Sequence, residues 1–452
     1  MTNFFKHVFT TQLQFFQELF QAFRTGLDEE LSEKHELFIR VVEMAKPEQW
    51  TGRYEWQGKG RRREERFPIA LAFIAKAVYN YPTTRVLLEN LRYNATLRRL
   101  CGWERKDEIP SEATFSRAFE QFARGEFAQQ VHESMIRTQV GDKLIGHVSR
   151  DATAIVGREK PSQSVSQRAA EGSDETAQVA AAAAAAAGEP VDRKDPPATP
   201  EAATAPPDQD TVGLPPAEGP AALGAPAAQT AAPTPPKRQR GRPRKAETAA
   251  PTPPKRQRGR PRKDRTATPP PSKRLDLQPH RTLAENLADL PTACDKGTKR
   301  DARGYQWSWV GYKLHLDVID GQIPASAILT SASLHDSQAA IPLAQMTAGR
   351  IAHHLYDLQD AAYDAEALRQ FSRDLGHVPL IDHNPRRGQP KPMAPAEAVR
   401  YRERTSVERV NADLKDNHGG RTVRVRGATK VMLHLMFGVI VVAVKGLCGM
   451  LT

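Results

Sequence analysis

The sequence predicts an α/β protein: a mixed sheet flanked by helices, preceded by an all-helical region and interrupted by a long insertion that has no core. Three observations carry this. Residues 286–452 alternate short strand patterns with helical ones, residues 1–140 are amphipathic at helical spacing, and residues 162–285 collapse into Ala, Pro, Gln, Thr and charge. A strand pattern at 141–161 precedes the insertion and belongs with the sheet that follows it.

The N-terminal stretch "MTNFFKHVFTTQLQFFQELFQAF" places Leu13, Phe16, Phe20 and Phe23 at helical intervals and lacks both a clustered basic region and a small-residue cleavage site. It reads as a packed helix, not a signal peptide. In "IPSEATFSRAFEQF", Ser111 is placed to cap a helix whose apolar face carries Phe115, Phe119 and Phe122. Arg92, Arg98, Arg99, Arg105 and Arg117 suit either DNA contact or a solvated helix face. The three cysteines, Cys101, Cys294 and Cys448, are far apart and form no CxxC, so neither a disulfide framework nor a cysteine zinc site is indicated and a reducing cytosol fits. Near the C-terminus, "VMLHLMFGVIVVAV" is too short a charge-free run for a membrane span and reads as a buried helix or strand.

The insertion contains an eight-alanine run and almost no aromatic residues, so it cannot bury enough surface to fold. Within it "AAPTPPKRQRGRPRK" occurs twice, at 231 and 249. The two "KRQRGRPRK" segments hold twelve cations, equal to the whole net charge of +12 (65 Lys and Arg minus 53 Asp and Glu). The basic excess is therefore local.

After the insertion, "WSWVGYKLHLDVID" alternates as a strand, Asp320-Gly321 turns it, and "QIPASAILT" returns as its partner. Helix, strand, helix and strand follow in "LHDSQAAIPLAQMTAG", "HHLYDLQD", "AEALRQFSRDLG" and "VPLID", and "YRERTSVERVNADLK" is a late helix. In "KLIGHVSRDATAIVG" the first strand carries Asp151; Asp360 ends "HHLYDLQD"; Glu408 lies on the late helix. Sites of open sheets gather at strand ends. Three carboxylates meeting there would need cations, and Mg²⁺ takes such oxygen ligands; a pair of ions suits phosphodiester cleavage or transfer. Asp357 and Asp364 are rivals of Asp360. Lys313 and His315 read as an exposed strand face.

At about 100° per residue, Tyr401, Arg404, Glu408 and Lys415 fall within an arc of about 60° on one helix face, beside an apolar stripe of Val407, Val410 and Leu414. Alone, the pattern equally describes a solvated face with an Arg404–Glu408 pair. The Tyr401-Arg404-Glu408-Lys415 interval, however, resembles the Y-R-E-K signature of bacterial insertion-sequence DDE transposases. "RDATAI" and "DAAYD" are similar to that family's first and second aspartate segments, and the element order resembles a ribonuclease H-like core. The insertion after Asp151 is longer than the family pattern.

The resemblance implies metal-dependent cleavage at element ends and transfer of the 3′ hydroxyl into target DNA. It assigns Asp151, Asp360 and Glu408 to two Mg²⁺ ions, with Mn²⁺ as a substitute. It assigns Arg404 and Lys415 to flanking phosphates, Tyr401 to a nearby nucleotide, and a homodimer to double-stranded DNA in the bacterial cytosol, without a membrane. Each "RGRP" resembles an AT-hook, in which Arg240 and Arg242, and Arg258 and Arg260, enter an A·T-rich minor groove. The alternative is a catalytically inactive, architectural DNA-binding protein; a ribonuclease H-type nuclease without transfer activity accounts for the acids but not for the Y-R-E-K face or the hooks.

Overall fold

The computed structural model describes residues 31–54, 56, 58, 64–161, 273–300, 304–384 and 392–451. The expectations for the first 30 residues, and for the insertion up to 272 with its two basic repeats, lie outside the described residues.

The N-terminal region is helical, as its periodicity predicts. Helix α1 (Glu33–Ala45) opens on a Ser32 cap and buries Phe38, Ile39, Val41 and Val42. Helix α2 (Arg66–Val78) is apolar on nearly every face and runs through the interior. Thr83 caps α3 (Thr84–Tyr93), and Ser111 caps α4 (Glu112–Arg124) by accepting from the Thr114 amide. Phe115 and Phe122 of α4 are buried; with Phe119 they surround Phe73 of α2 at ring-centroid separations of 5.0–6.4 Å. Helix α5 (Phe127–Val140) leads into the sheet.

Six strands form one mixed sheet: β1 (Leu144–Val156), β2 (Asp295–Arg300), β3 (Gln306–Ile319), β4 (Ile323–Ser331), β5 (His353–Gln359) and β6 (Val378–Ile381). Strand β1 lies between β3, antiparallel, and β5, parallel; β6 runs parallel to β5. The long β3 pairs with β2 along its first half and β4 along its second, both antiparallel. The Asp320 turn closes β3 onto β4, with Gly321 at φ 73°. Asp320 also accepts from the Gly146 and His147 amides of β1, so the turn is fastened to the central strand.

Three features differ from expectation. Helical structure resumes at Arg274, inside the stretch assigned to the insertion, and continues through Leu283–Asp289. Strand β2, "DKGTKR", is added to the sheet; it lacks any apolar alternation and exists through its pairing with β3. Lys313 and His315 are not on an exposed face. His315 is fully buried and bonds Thr330, while Lys313 pairs with Asp336 at 2.8 Å.

Burial of these polar positions follows from coverage on both faces. Helices Ala340–Ala348 and Glu366–Asp374 cover one face. Thr405–Asn417 and the terminal helix Ala428–Leu451 cover the other. The terminal helix is long and apolar enough to cross a membrane, but most of it is buried, packed between β4 and helices α1, α2, α4 and α5. Phe437 on it stacks with Phe73 at 5.9 Å. Buried residues of the helical region, the sheet and the terminal helix form one contiguous apolar cluster, so the core runs across residue 140.

Candidate active site

The first acid is set by its strand. Along β1 successive side chains alternate between the two faces. Arg150 points to one face, where it makes a doubled ion pair with Asp317 at 2.7 Å and lies 3.9 Å from Asp357; Thr347 donates to Asp317. Ser149 and Asp151 point to the other. Ser149 bonds Ser406, and Asp151 Oδ2 accepts from Asn411 Nδ2 at 3.2 Å. The buried Arg150 pair fixes the strand's rotation and leaves Asp151 facing the helix Thr405–Asn417.

The second acid is set by register. Arg150 pairs with Gln359 in the last step of the parallel ladder, so Asp360, just past the end of β5, neighbours Asp151 in the middle of β1, on strands that run about 5 Å apart. Asp360 Oδ1 accepts from the Ala362 amide. Its rivals are engaged elsewhere. Asp357 is buried against His354, Ser372 and Arg150, and Asp364 is held by Arg369 and the Asn384 amide.

The third acid comes from the helix. Glu408 lies one turn before Asn411, on the helix that Asn411 ties to Asp151. It is exposed and bound by Arg404 at 2.5 Å, an i,i+4 pair. Val407, Val410 and Leu414 are buried, as the apolar stripe predicts. The Y-R-E-K residues do not share one α-helix, however. Pro395–Tyr401 is one helix, Arg402–Arg404 is a 3₁₀ turn, and the α-helix restarts at Thr405. Tyr401 lies at the end of the first helix and donates its hydroxyl to the Gln359 carbonyl at 3.2 Å, while Arg404 sits 5.9 Å over its ring. Lys415 is half-buried, in the last turn of the restarted helix.

The carboxylates feel one another. Burial, reinforced by the charge of Asp360, pushes the Asp151 carboxyl up to about 6, against the Ala152 amide, Lys299 and Arg404. Burial also raises Asp360, with Asp336 adding to it and Arg404 and Lys299 opposing. Burial lowers Lys415, with Arg421 and Lys299 assisting. Lys299, on the unexpected strand β2, is thus a cation of the site that hydropathy patterning missed. Asn411 and Asp336 were also missed, because neither their pairing partners nor their approach to the strand ends is encoded in local spacing.

Among the described residues no three His, Cys, Asp or Glu side chains are gathered closely enough to hold a metal ion as they stand. The donor chemistry nevertheless fits one. Two acids with raised carboxyls on adjacent strands present oxygen ligands that a divalent cation would relieve of mutual repulsion, and Glu408, held by Arg404, lies on the helix bonded to Asp151.

Residues 280–443 match the model described as Transposase DDE domain, and residues 27–121 match Transposase domain (DUF772). The chain belongs with the DDE transposases. Two AT hook motifs match at 237–249 and 255–267, inside the insertion of this transposase. The DDE match takes in Asp360, Tyr401, Arg404, Glu408 and Lys415 but begins after Asp151, which joins the rest through the pairing of β1 with β3 and β5. No curated protein and no solved structure matches the transposase chain.

Of the arginines in the helical region, Arg98 is buried and donates to the Leu91, Arg92 and Glu104 carbonyls. Arg99 and Arg105 pair with local carboxylates, and Arg117 bonds its own helix. Arg98 thus serves the fold, while the other three are exposed.

Proposed function

We propose that this transposase cuts DNA at the ends of an insertion sequence and joins the freed 3′ hydroxyl to target DNA, using a ribonuclease H-like core. The sheet order supports that core: an antiparallel β4-β3-β1 ladder continued by parallel β5 and β6. The single observation that carries the catalytic reading is the juxtaposition of Asp151 and Asp360 on adjacent parallel strands, with the Glu408 helix tied to Asp151 by Asn411.

The three acids would hold two divalent cations, Mg²⁺ or Mn²⁺, which when bound activate the attacking oxygen and stabilise the leaving one. Asn411 orients Asp151 through its Oδ2. Arg404 neutralises Glu408 in the protein alone and, on releasing it, is free to grip a phosphate flanking the cut. Lys415 and Lys299 supply further positive charge to the strand. Tyr401, anchored on the Gln359 carbonyl, offers its ring to the nucleotide beside the break. The two AT-hook segments would hold A·T-rich minor groove through Arg240, Arg242, Arg258 and Arg260, and pairing of two ends calls for a homodimer on DNA, acting in the cytosol.

A strand-transfer assay with Mg²⁺ tests this. Wild type is expected to nick and join a duplex carrying the inverted repeat that flanks its reading frame, whereas Asp360→Asn binds the duplex without cutting it. Cutting by Asp360→Asn at the wild-type rate would remove the assignment.

A further inference from the structure

A cleft of about 340 Å³ opens between the helical region and the terminal helix, and none of Asp151, Asp360 and Glu408 lines it. Lys76 of α2 forms part of its wall, together with Glu112 and Ser116 of α4 and, opposite, Arg426, Lys430 and His434. Among the described residues the Lys76 ammonium makes no ion pair and no hydrogen bond. An ammonium taken from water without a partner is costly, and burial lowers this one to about 8.

The neighbours do not supply its counter-charge. His434 is buried and spends its ring nitrogen on the Gly419 carbonyl; Lys430 approaches Glu120 only at 3.8 Å, and that carboxylate is held by Arg124 at 2.7 Å. Arg424 and Arg426 are exposed, and among the described residues neither pairs with an acid. Glu112 is the single carboxylate of the wall. The loop that brings Arg426 to the cleft begins just after Lys415 and also carries Arg421, so one basic segment leads from the acids to the cleft.

We propose that this cleft binds a backbone phosphate of the DNA held at the carboxylates, with the Lys76 ammonium and the Arg426 guanidinium as its ligands. The proposal rests on the reading of the protein as a DNA-cutting enzyme and names where the strand goes beyond the cut. A phosphodiester fits where a nucleobase does not: the wall offers cations and the hydroxyls of Thr84 and Ser116, while its aromatic residues, Phe73 and Phe119, are committed to the core.

The test is the salt dependence of binding by the full chain to a labelled G·C-rich duplex, a sequence that the hooks do not favour. Lys76→Gln and, on the exposed loop where folding is not at risk, Arg426→Gln are each expected to weaken binding several-fold. Each should also flatten the slope of log K against log salt by about 0.9, the loss of one phosphate contact. Lys76→Arg should retain the slope. Wild-type slopes in both glutamine variants would overturn the proposal. Lys76-dependent thermal stabilisation by inorganic phosphate, with no change in the DNA slope, would also overturn it and identify a small-anion site. Failure of wild type to cut DNA, with the slopes shifting as expected, would remove the catalytic reading and leave the cleft.

Discussion

Asn411 is the residue on which the geometry of the site turns, because its amide bonds the Asp151 carboxylate itself to the helix of Glu408, beside the Ser149–Ser406 contact between the same two elements. Replacing it with alanine should leave the fold intact and cost about 10–100-fold in divalent-cation affinity or cutting, the usual price of losing an outer-shell partner. Calorimetric titration with Mn²⁺ alongside a nicking assay checks this; unchanged values for both would show that Asp151 needs no such orientation.

Asp151 itself carries a pH signature. Its carboxyl titrates near 6 in the folded protein and about two units lower in the unfolded chain, so the fold binds this proton more tightly. Stability from this group is therefore fully present below the unfolded value and is lost as pH rises through about 6. In the absence of divalent cations, Asp151→Asn should raise the melting temperature at pH 7.5 by about 2–6 °C, allowing for partial solvent screening. The difference should vanish near pH 4. Cation affinity of the wild type should fall as pH drops through 6, since proton and metal compete for the same oxygens.

At the scale of elements, legibility followed pattern. Strands β1, β3 and β4 announce themselves by alternation and a turn, which is enough to put Asp151 inside the first strand and Asp360 at the end of its neighbour. Strand β2 was not, since "DKGTKR" is polar throughout; only Gly297, whose missing side chain leaves room for Trp309 to lie across it, hints at a partner. Its invisibility hid Lys299. The break at Arg402–Arg404 was equally silent, for no Gly or Pro marks it. Spacing placed the residues of the late helix on one face, while the tightened turn moves Tyr401 onto β5. The Arg150–Asp317 pair joins positions 167 apart, a separation that no local rule reaches.

The insertion belongs to this scale too. Its two hook segments repeat at an 18-residue period, a span of at most about 60 Å when extended, against about 34 Å between successive minor grooves. Deleting residues 231–263 should weaken DNA binding and flatten its salt dependence while leaving nicking of a short end duplex measurable. Loss of nicking on that pre-bound duplex would count against a tethering role.

For the molecule as a whole, the terminal helix is the common wall of the helical region and the sheet. Gly438 on it lies against the helix that bears Glu408: an added Cβ would meet the His418 carbonyl at 2.6 Å and Leu414 at 2.7 Å. Gly438→Val should therefore cost about 1–3 kcal/mol by overpacking, read as an earlier denaturant midpoint, and should loosen the site in the same step. A wild-type midpoint would mean that the two helices can part at no cost.

The central position of β1 has one more outcome. All five of its sheet-mates lie on the far side of the insertion, so during synthesis the strand must wait for residue 359 to emerge before both of its direct partners, β3 and β5, are available. At ribosomal speeds that is roughly 10–40 s of an incompletely paired apolar ribbon. The same arrangement makes the polypeptide divisible. Two pieces co-expressed with a break inside the insertion should each be insoluble alone and should together rebuild a working enzyme.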